Sequence, residues 1–163
     1  MKCIADKTWQ VPNNMEALTE TAGEVEEWLV SYGVCPRVPY TAHLIVEEMG
    51  TNIIKYGYDD TLPHFIRVQV LVDDERVRVM LEDDGHEFDP FKEPSPDLEE
   101  LFASQREGGL GIELVRRICI HWSYHRERAI NRVTLDIARR APGDEDDLPA
   151  LPVPPSAQGT PHP

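Results

Sequence analysis

The feature that most limits how this chain can fold is a change of hydrophobic period between residues 44 and 83. Up to Tyr56 the apolar residues fall at helical spacing: Leu44, Ile45, Met49, Ile53 and Tyr56 make one stripe, and Gly57 ends it. From His64 the period becomes two. Ile66, Val68, Val70 and Val72 alternate with Arg67 and Gln69, Asp73-Asp74-Glu75 reverses the chain, and Val77, Val79 and Leu81 resume the alternation. A helix followed directly by a half-buried hairpin must lay its stripe on the apolar face of that hairpin, which points to a layered α+β domain.

The flanking segments fit the same plan. Residues 2–10 can form a short strand. Asn13 or Asn14 can cap a helix through about Tyr32, with Leu18, Val25, Trp28 and Leu29 at helical spacing and Gly33 as its stop. The next helix is expected from about Pro39 to Tyr56. Residues 85–108 carry Gly, Pro and charge without a clean period, and a connection of that length usually serves a function. "GGLGIELVRRICI" opens on glycines and continues as a helix, and "HWSYHRE" and "RVTLDIARR" form a closing strand pair around "RAIN". The expected order is helices, hairpin, helix, hairpin: a mostly antiparallel sheet covered on one face by about three helices.

Charge narrows the function. The formal net charge is −14; the last 23 residues hold four acids (Asp144, Glu145, Asp146 and Asp147), no Lys or Arg, and seven of the 14 prolines, which leaves −10 on residues 1–140. A domain that acidic lacks the clustered cations that grip a nucleic-acid backbone, so direct nucleic-acid binding is not expected. Any phosphate it holds should be a small ligand gripped by backbone amides, a metal ion and a few cations. The expected division is a folded domain over residues 1–140 and a disordered Pro-rich acidic tail over 141–163. Cys3, Cys35 and Cys119 show no Cys-x-x-Cys spacing, which suits a reducing compartment, and neither a signal-peptide core nor a membrane span is visible, so a cytoplasmic protein is expected.

Three short segments can carry chemistry. In "VEEMGTNIIKYGY", Glu48 and Asn52 are four residues apart on a helix and share a face, whereas Glu47 points about 100° away. That spacing can present a base and a neutral oxygen ligand to one phosphate, although the same pattern also describes a solvated helix face. In "LEDDGHEFDP" an alternating strand ends in Asp83 with Gly85 two residues on, which either presents a carboxylate to a pocket or makes a plain turn. In "EGGLGIEL", Gly108, Gly109 and Gly111 precede a helix whose free N–H groups could meet phosphate oxygens. Leu114 stands where a G-x-G-x-x-G fingerprint needs glycine, and no Gly-Lys-Ser/Thr follows. His121 and His125 lie on an expected strand without a third ligand and read as structural or surface residues.

Taken in order, these segments resemble the GHKL ATPase superfamily with its Bergerat nucleotide-binding fold. More closely, "VEEMGTNIIKYGY", "DDGHEFDP" and "GGLGIELV" are similar to the stand-alone anti-sigma factor/serine-protein kinases, a likeness running from about Trp9 to Ile137. It implies a two-layer α/β sandwich of the Bergerat type. It also implies ATP and Mg²⁺ as cofactors, Glu48 as general base and Asn52 as the Mg²⁺ ligand. Asp83 would accept from the adenine amino group, Gly85 would let adenine lie close, and Gly109, Leu110 and Gly111 would cradle phosphates. Residues 86–108 would form a lid with Arg106 as its cation, and Thr134 would touch the adenine side through water. The implied activity is serine/threonine phosphorylation of a STAS-type anti-anti-sigma partner, with a sigma factor as second partner and a homodimer as assembly. The alternative is a non-catalytic nucleotide-binding adapter that sequesters a regulatory protein. Many GHKL members carry D-x-G-x-G, whereas position 87 here is Glu87; the Phe88-Asp89-Pro90 that follows matches the anti-sigma subgroup.

Overall fold

A computed structural model describes residues 2–92 and 110–140. The chain runs β1 (Cys3–Pro12), α1 (Met15–Val30), α2 (Arg37–Tyr56), β2 (Phe65–Asp73), β3 (Arg76–Asp83), α3 (Leu110–Ile118), β4 (His121–Glu127) and β5 (Ile130–Ala138). The strands form one sheet in the order β1-β2-β3-β5-β4, and all four pairings are antiparallel. This is the expected α+β sandwich, with three helices among the described residues. The tail over 141–163, Arg106, Gly109 and most of the expected lid lie outside the described residues.

The alternation read from sequence sets which face is buried. Val68 pairs with Leu81 and Val70 with Val79, and these stand on one side with Ile66, Val72, Val77, Leu135 and Ile137, all fully buried. Leu18, Val25 and Leu29 of α1 and Ile45, Val46 and Met49 of α2 cover them. Removing each such side chain from water contributes roughly 1.5–3 kcal/mol, which is why the apolar stripes fix the layer arrangement. Asn14 caps α1, its side-chain oxygen accepting from the Ala17 N–H at 2.9 Å. Trp9 on β1 meets Trp28 on α1 edge to face at 5.9 Å and donates to Glu24 at 2.9 Å, fixing that helix over the sheet edge.

The opposite sheet face is left to charged side chains. Asp136 is fully buried beneath Arg76 and Arg78, which reach its two oxygens at 2.7–2.9 Å. Glu82 is flanked by Arg67 at 3.1 Å and Arg132 at 3.0 Å. His121 is exposed and lies 3.8 Å from Asp136, while the exposed His125 sits 3.9 Å from Glu127. Both histidines are therefore surface residues of β4. Among the described residues no helix is long and apolar enough to cross a membrane.

Candidate functional site

The C-terminal half of α2 brings the first two site residues forward. Glu47 turns away: its carboxylate lies 3.2 Å from His43, whose other ring nitrogen is 2.7 Å from Glu26 on α1. Glu48 faces the other way and abuts α3. Burial raises its carboxyl above the ordinary range, the neighbouring Glu47 adds to that, and Lys55 partly offsets it. One turn on, Asn52 is buried, and among the described residues its enclosed amide nitrogen has no hydrogen-bond partner. An orphaned polar atom at such a depth costs stability unless something arrives to bond the amide, so it marks a place for a ligand.

Gly111 explains how close α3 comes. A Cβ built there would fall on the Glu48 carboxylate and lie 2.6 Å from its Cγ. With Glu48 in this position only a glycine fits at 111, so "EGGLGIEL" is coupled in space to "VEEMGTN". Leu110 begins the helix, so Gly111 in its first turn sets the start of α3 beside Glu48.

The end of β3 completes the cluster. Asp83 is 6% exposed, and its Oδ1 accepts from the Gly85 N–H at 2.9 Å and from Asn131 Nδ2 at 3.0 Å. Among the described residues its Oδ2 accepts from none. Burial pushes this carboxyl up and Asp84 adds to the shift, against the Asn131 and Gly85 hydrogen bonds and the charge of Arg126. Gly85 packs against the end of α2: a Cβ there would lie 2.5 Å from the Gly57 carbonyl oxygen and 2.9 Å from Asp83 Oδ1. The His86 N–H donates to that same Gly57 carbonyl at 2.8 Å, so the turn after β3 is fastened to the helix that carries Glu48 and Asn52. An open cavity of about 270 Å³ lies against this junction, lined by Gly57, Tyr58, Asp59, Asp60, His64, Asp84, Gly85 and His86. Tyr58 stacks on His64 at 3.9 Å and donates to Asp84 at 2.8 Å, which braces the wall.

Thr134 requires a correction. It pairs with Met80 and Ser123, and it alternates with the buried Val133 and Leu135, so it stands on the sheet face away from Asp83. Register with β3 decides this: Asn131, not Thr134, is the β5 residue directly opposite Asp83. Asn131 is 3% exposed; its Nδ2 also reaches the carbonyl oxygens of His86 at 2.7 Å and Gly85 at 3.3 Å, while its Oδ1 accepts from Tyr124 and Arg126, both at 2.7 Å. The sequence carries a signal for this. Asn131 is a polar residue at the buried parity of a strand otherwise occupied there by Val133, Leu135 and Ile137.

The residues present suit a nucleotide. Among the described residues Asp83 offers a free carboxylate oxygen for an amino group, and Asn52 offers an unpartnered amide N–H donor one helix turn from Glu48. Gly85 and Gly111 leave bare backbone where a side chain would intrude. Among the described residues no group of three or more His, Cys, Asp or Glu is arranged to hold a metal ion. Comparison with known proteins agrees with this chemistry. Residues 11–137 match the model of the histidine kinase-like ATPase domain. A serine/threonine-protein kinase, BtrW, of Bordetella bronchiseptica is 27% identical over 99 residues, 61% of this chain and 70% of that protein.

Proposed function

Since the chain belongs to the histidine kinase-like ATPase domain family, we propose that it is an ATP-dependent serine/threonine-protein kinase of the anti-sigma factor type. Its substrate in this reading is a hydroxyl of a STAS-type anti-anti-sigma protein, and a sigma factor is its second partner. The convergence of Glu48 with Gly111 carries the proposal, because it sets a half-buried carboxylate of raised proton affinity against the N-terminus of a helix. The name of the related BtrW protein supports the same reaction class. Kinase action in the cytoplasm and a homodimeric assembly belong to this reading as well.

Bound Mg·ATP supplies the phosphoryl group and the charge that neutralises the phosphate oxygens. The chain's own contribution is positioning. Asp83 Oδ2 accepts from the adenine amino group, and Gly85 gives the base room against the turn. In this reading Gly109, Leu110 and Gly111 would cradle the phosphates and Arg106 would supply a further cation. The Asn52 amide oxygen takes a place among the metal's ligands, which requires no cluster of carboxylates. Glu48 accepts the proton of the attacking hydroxyl through its carboxylate, and a carboxyl raised toward neutral is better matched to that transfer than an ordinary one.

The test is incubation of the protein with Mg·ATP and a STAS-domain partner, followed by mass spectrometry for phosphoserine or phosphothreonine. Transfer that disappears in Glu48→Gln while nucleotide binding persists is the expected result. Nucleotide binding without transfer to any such partner would leave a sequestering adapter in place of a kinase.

A further inference from the structure

We infer that Asn131, held by Tyr124 and Arg126, is a positioning residue that sets Asp83 as a pure hydrogen-bond acceptor for the base and so determines which base the site takes; this rests on the nucleotide reading above. The orientation of the Asn131 amide is fixed by its neighbours. Tyr124 O–H and Arg126 Nη1 both donate to Oδ1 at 2.7 Å, so the nitrogen end must face the β3 turn. There Nδ2 meets three acceptors: Asp83 Oδ1, the Gly85 carbonyl and the His86 carbonyl. Arg126 also donates to the Gly85 carbonyl at 3.1 Å, a second tie between the closing hairpin and the turn.

The consequence for Asp83 is chemical as well as steric. With Oδ1 occupied by the Asn131 and Gly85 donors, the carboxyl plane is set and Oδ2 is the oxygen left for a ligand. Donors on Oδ1 favour the ionised form against the burial that opposes it. An ionised carboxylate can only accept, so it suits a base presenting an amino group and rejects one presenting a carbonyl at the same place. A protonated or rotated Asp83 would lose that discrimination.

The charged and titratable groups around Asp83 are Asp84 on the turn, Tyr58 after α2, and Tyr124 and Arg126 on β4; the His86 ring instead engages Asp59. Replacing Asn131 by the near-isosteric aspartate sets a second carboxylate against Asp83 Oδ1 and removes both N–H donors. Coupled carboxylates share a proton, so ATP affinity in Asn131→Asp should depend on pH more steeply than in the wild type.

The experiment measures ATP and GTP binding by calorimetry from pH 6 to 8 for wild type, Asn131→Asp and Asn131→Ala, with folding checked by circular dichroism. In parallel the Asp83 carboxyl is titrated by carbon-detected NMR without nucleotide. The expected result is a loss of ATP affinity of at least about tenfold at pH 8 in Asn131→Asp. Recovery toward pH 6, a reduced preference for ATP over GTP in both variants, and a higher Asp83 titration point in Asn131→Ala should accompany it. An unchanged ATP-to-GTP ratio, or a uniform loss for both nucleotides at every pH, would overturn the inference and leave Asn131 a structural residue. Wild-type protein that binds neither nucleotide defeats the nucleotide reading and base selection with it, and the NMR arm still decides whether Asn131 controls Asp83.

Discussion

The carboxylate of Glu48 occupies the space that a side chain at Gly111 would fill. Sixty-odd residues of sequence separate the two, yet Glu48 keeps this position against the first turn of α3 only because residue 111 has no Cβ. A Gly111→Ala substitution should move Glu48 rather than unfold the domain, because the colliding atoms are the far end of a flexible side chain. Phosphoryl transfer should fall by about a hundredfold or more, with thermal stability changed by less than about 1 kcal/mol. Parallel kinetics and melting curves check this, and an equal loss of both would mean that α3 itself has been displaced.

Asp83 is held at a cost. Its carboxyl titrates above the ordinary range because it is buried, so keeping it ionised at neutral pH opposes folding. Asp83→Asn keeps an oxygen for the Gly85 and Asn131 donors and removes the buried charge. The expected outcome is a protein more stable by about 1 kcal/mol that has lost ATP binding. Chemical denaturation with calorimetry on the same samples tests it. The stabilisation should be greatest at neutral and alkaline pH and shrink as the pH falls through the raised folded-state value, where wild-type Asp83 also becomes neutral.

Asp136 behaves oppositely. Burial works against its charge, but the hydrogen bonds and charge of Arg78, with Arg76 and His121, outweigh burial and hold its carboxyl below the usual range. A depressed folded-state value contributes stability that is present above the unfolded value of about 3.9 and is lost as the pH falls through the folded one. Acid unfolding should therefore begin below about pH 4. Arg78→Ala removes two of the three arginine hydrogen bonds to Asp136, leaving Arg76 and the nearby His121, and should destabilise by on the order of 3 kcal/mol at neutral pH. Urea unfolding at pH 7 and pH 3 should show that difference shrinking at the lower pH.

The β4–β5 hairpin turns through Arg128 and Ala129, both with positive φ, 51° and 64°. Two left-handed residues in succession suit the twist of a tight hairpin, but a Cβ makes each unfavourable. Ala129→Gly should stabilise by about 0.5–1 kcal/mol. An unchanged or lower melting temperature would show that the tertiary ties of Asn131 and Arg126 already dominate this turn.

Periodicity alone identified the stripes of α1 and α2, except that Tyr56 at the end of α2 is exposed, together with the β2–β3 hairpin and the closing strand pair. The reason is local: which residues must leave water depends on spacing along one element. Gly57 and Asn14 were also legible, since a helix end declares itself in the few residues around it. The spacing of Glu48 and Asn52 likewise placed both on one face before any tertiary contact was known.

Register across strands separated by some fifty residues was not legible in this way. "INRVTLDI" says that Asn131 and Thr134 have opposite parity, but only the pairing of β5 with β3 sets Asn131 against Asp83 and turns Thr134 to the arginine-covered face. Sequence also left open which of Glu47 and Glu48 meets α3, because that depends on where α1 places Glu26 beside His43. Sequence by itself determined the elements, their buried faces and the three segments that carry chemistry. The tertiary structure alone decided which side chains meet, because hydrogen bonds and close contacts depend on fractions of an ångström between segments that sequence spacing does not relate.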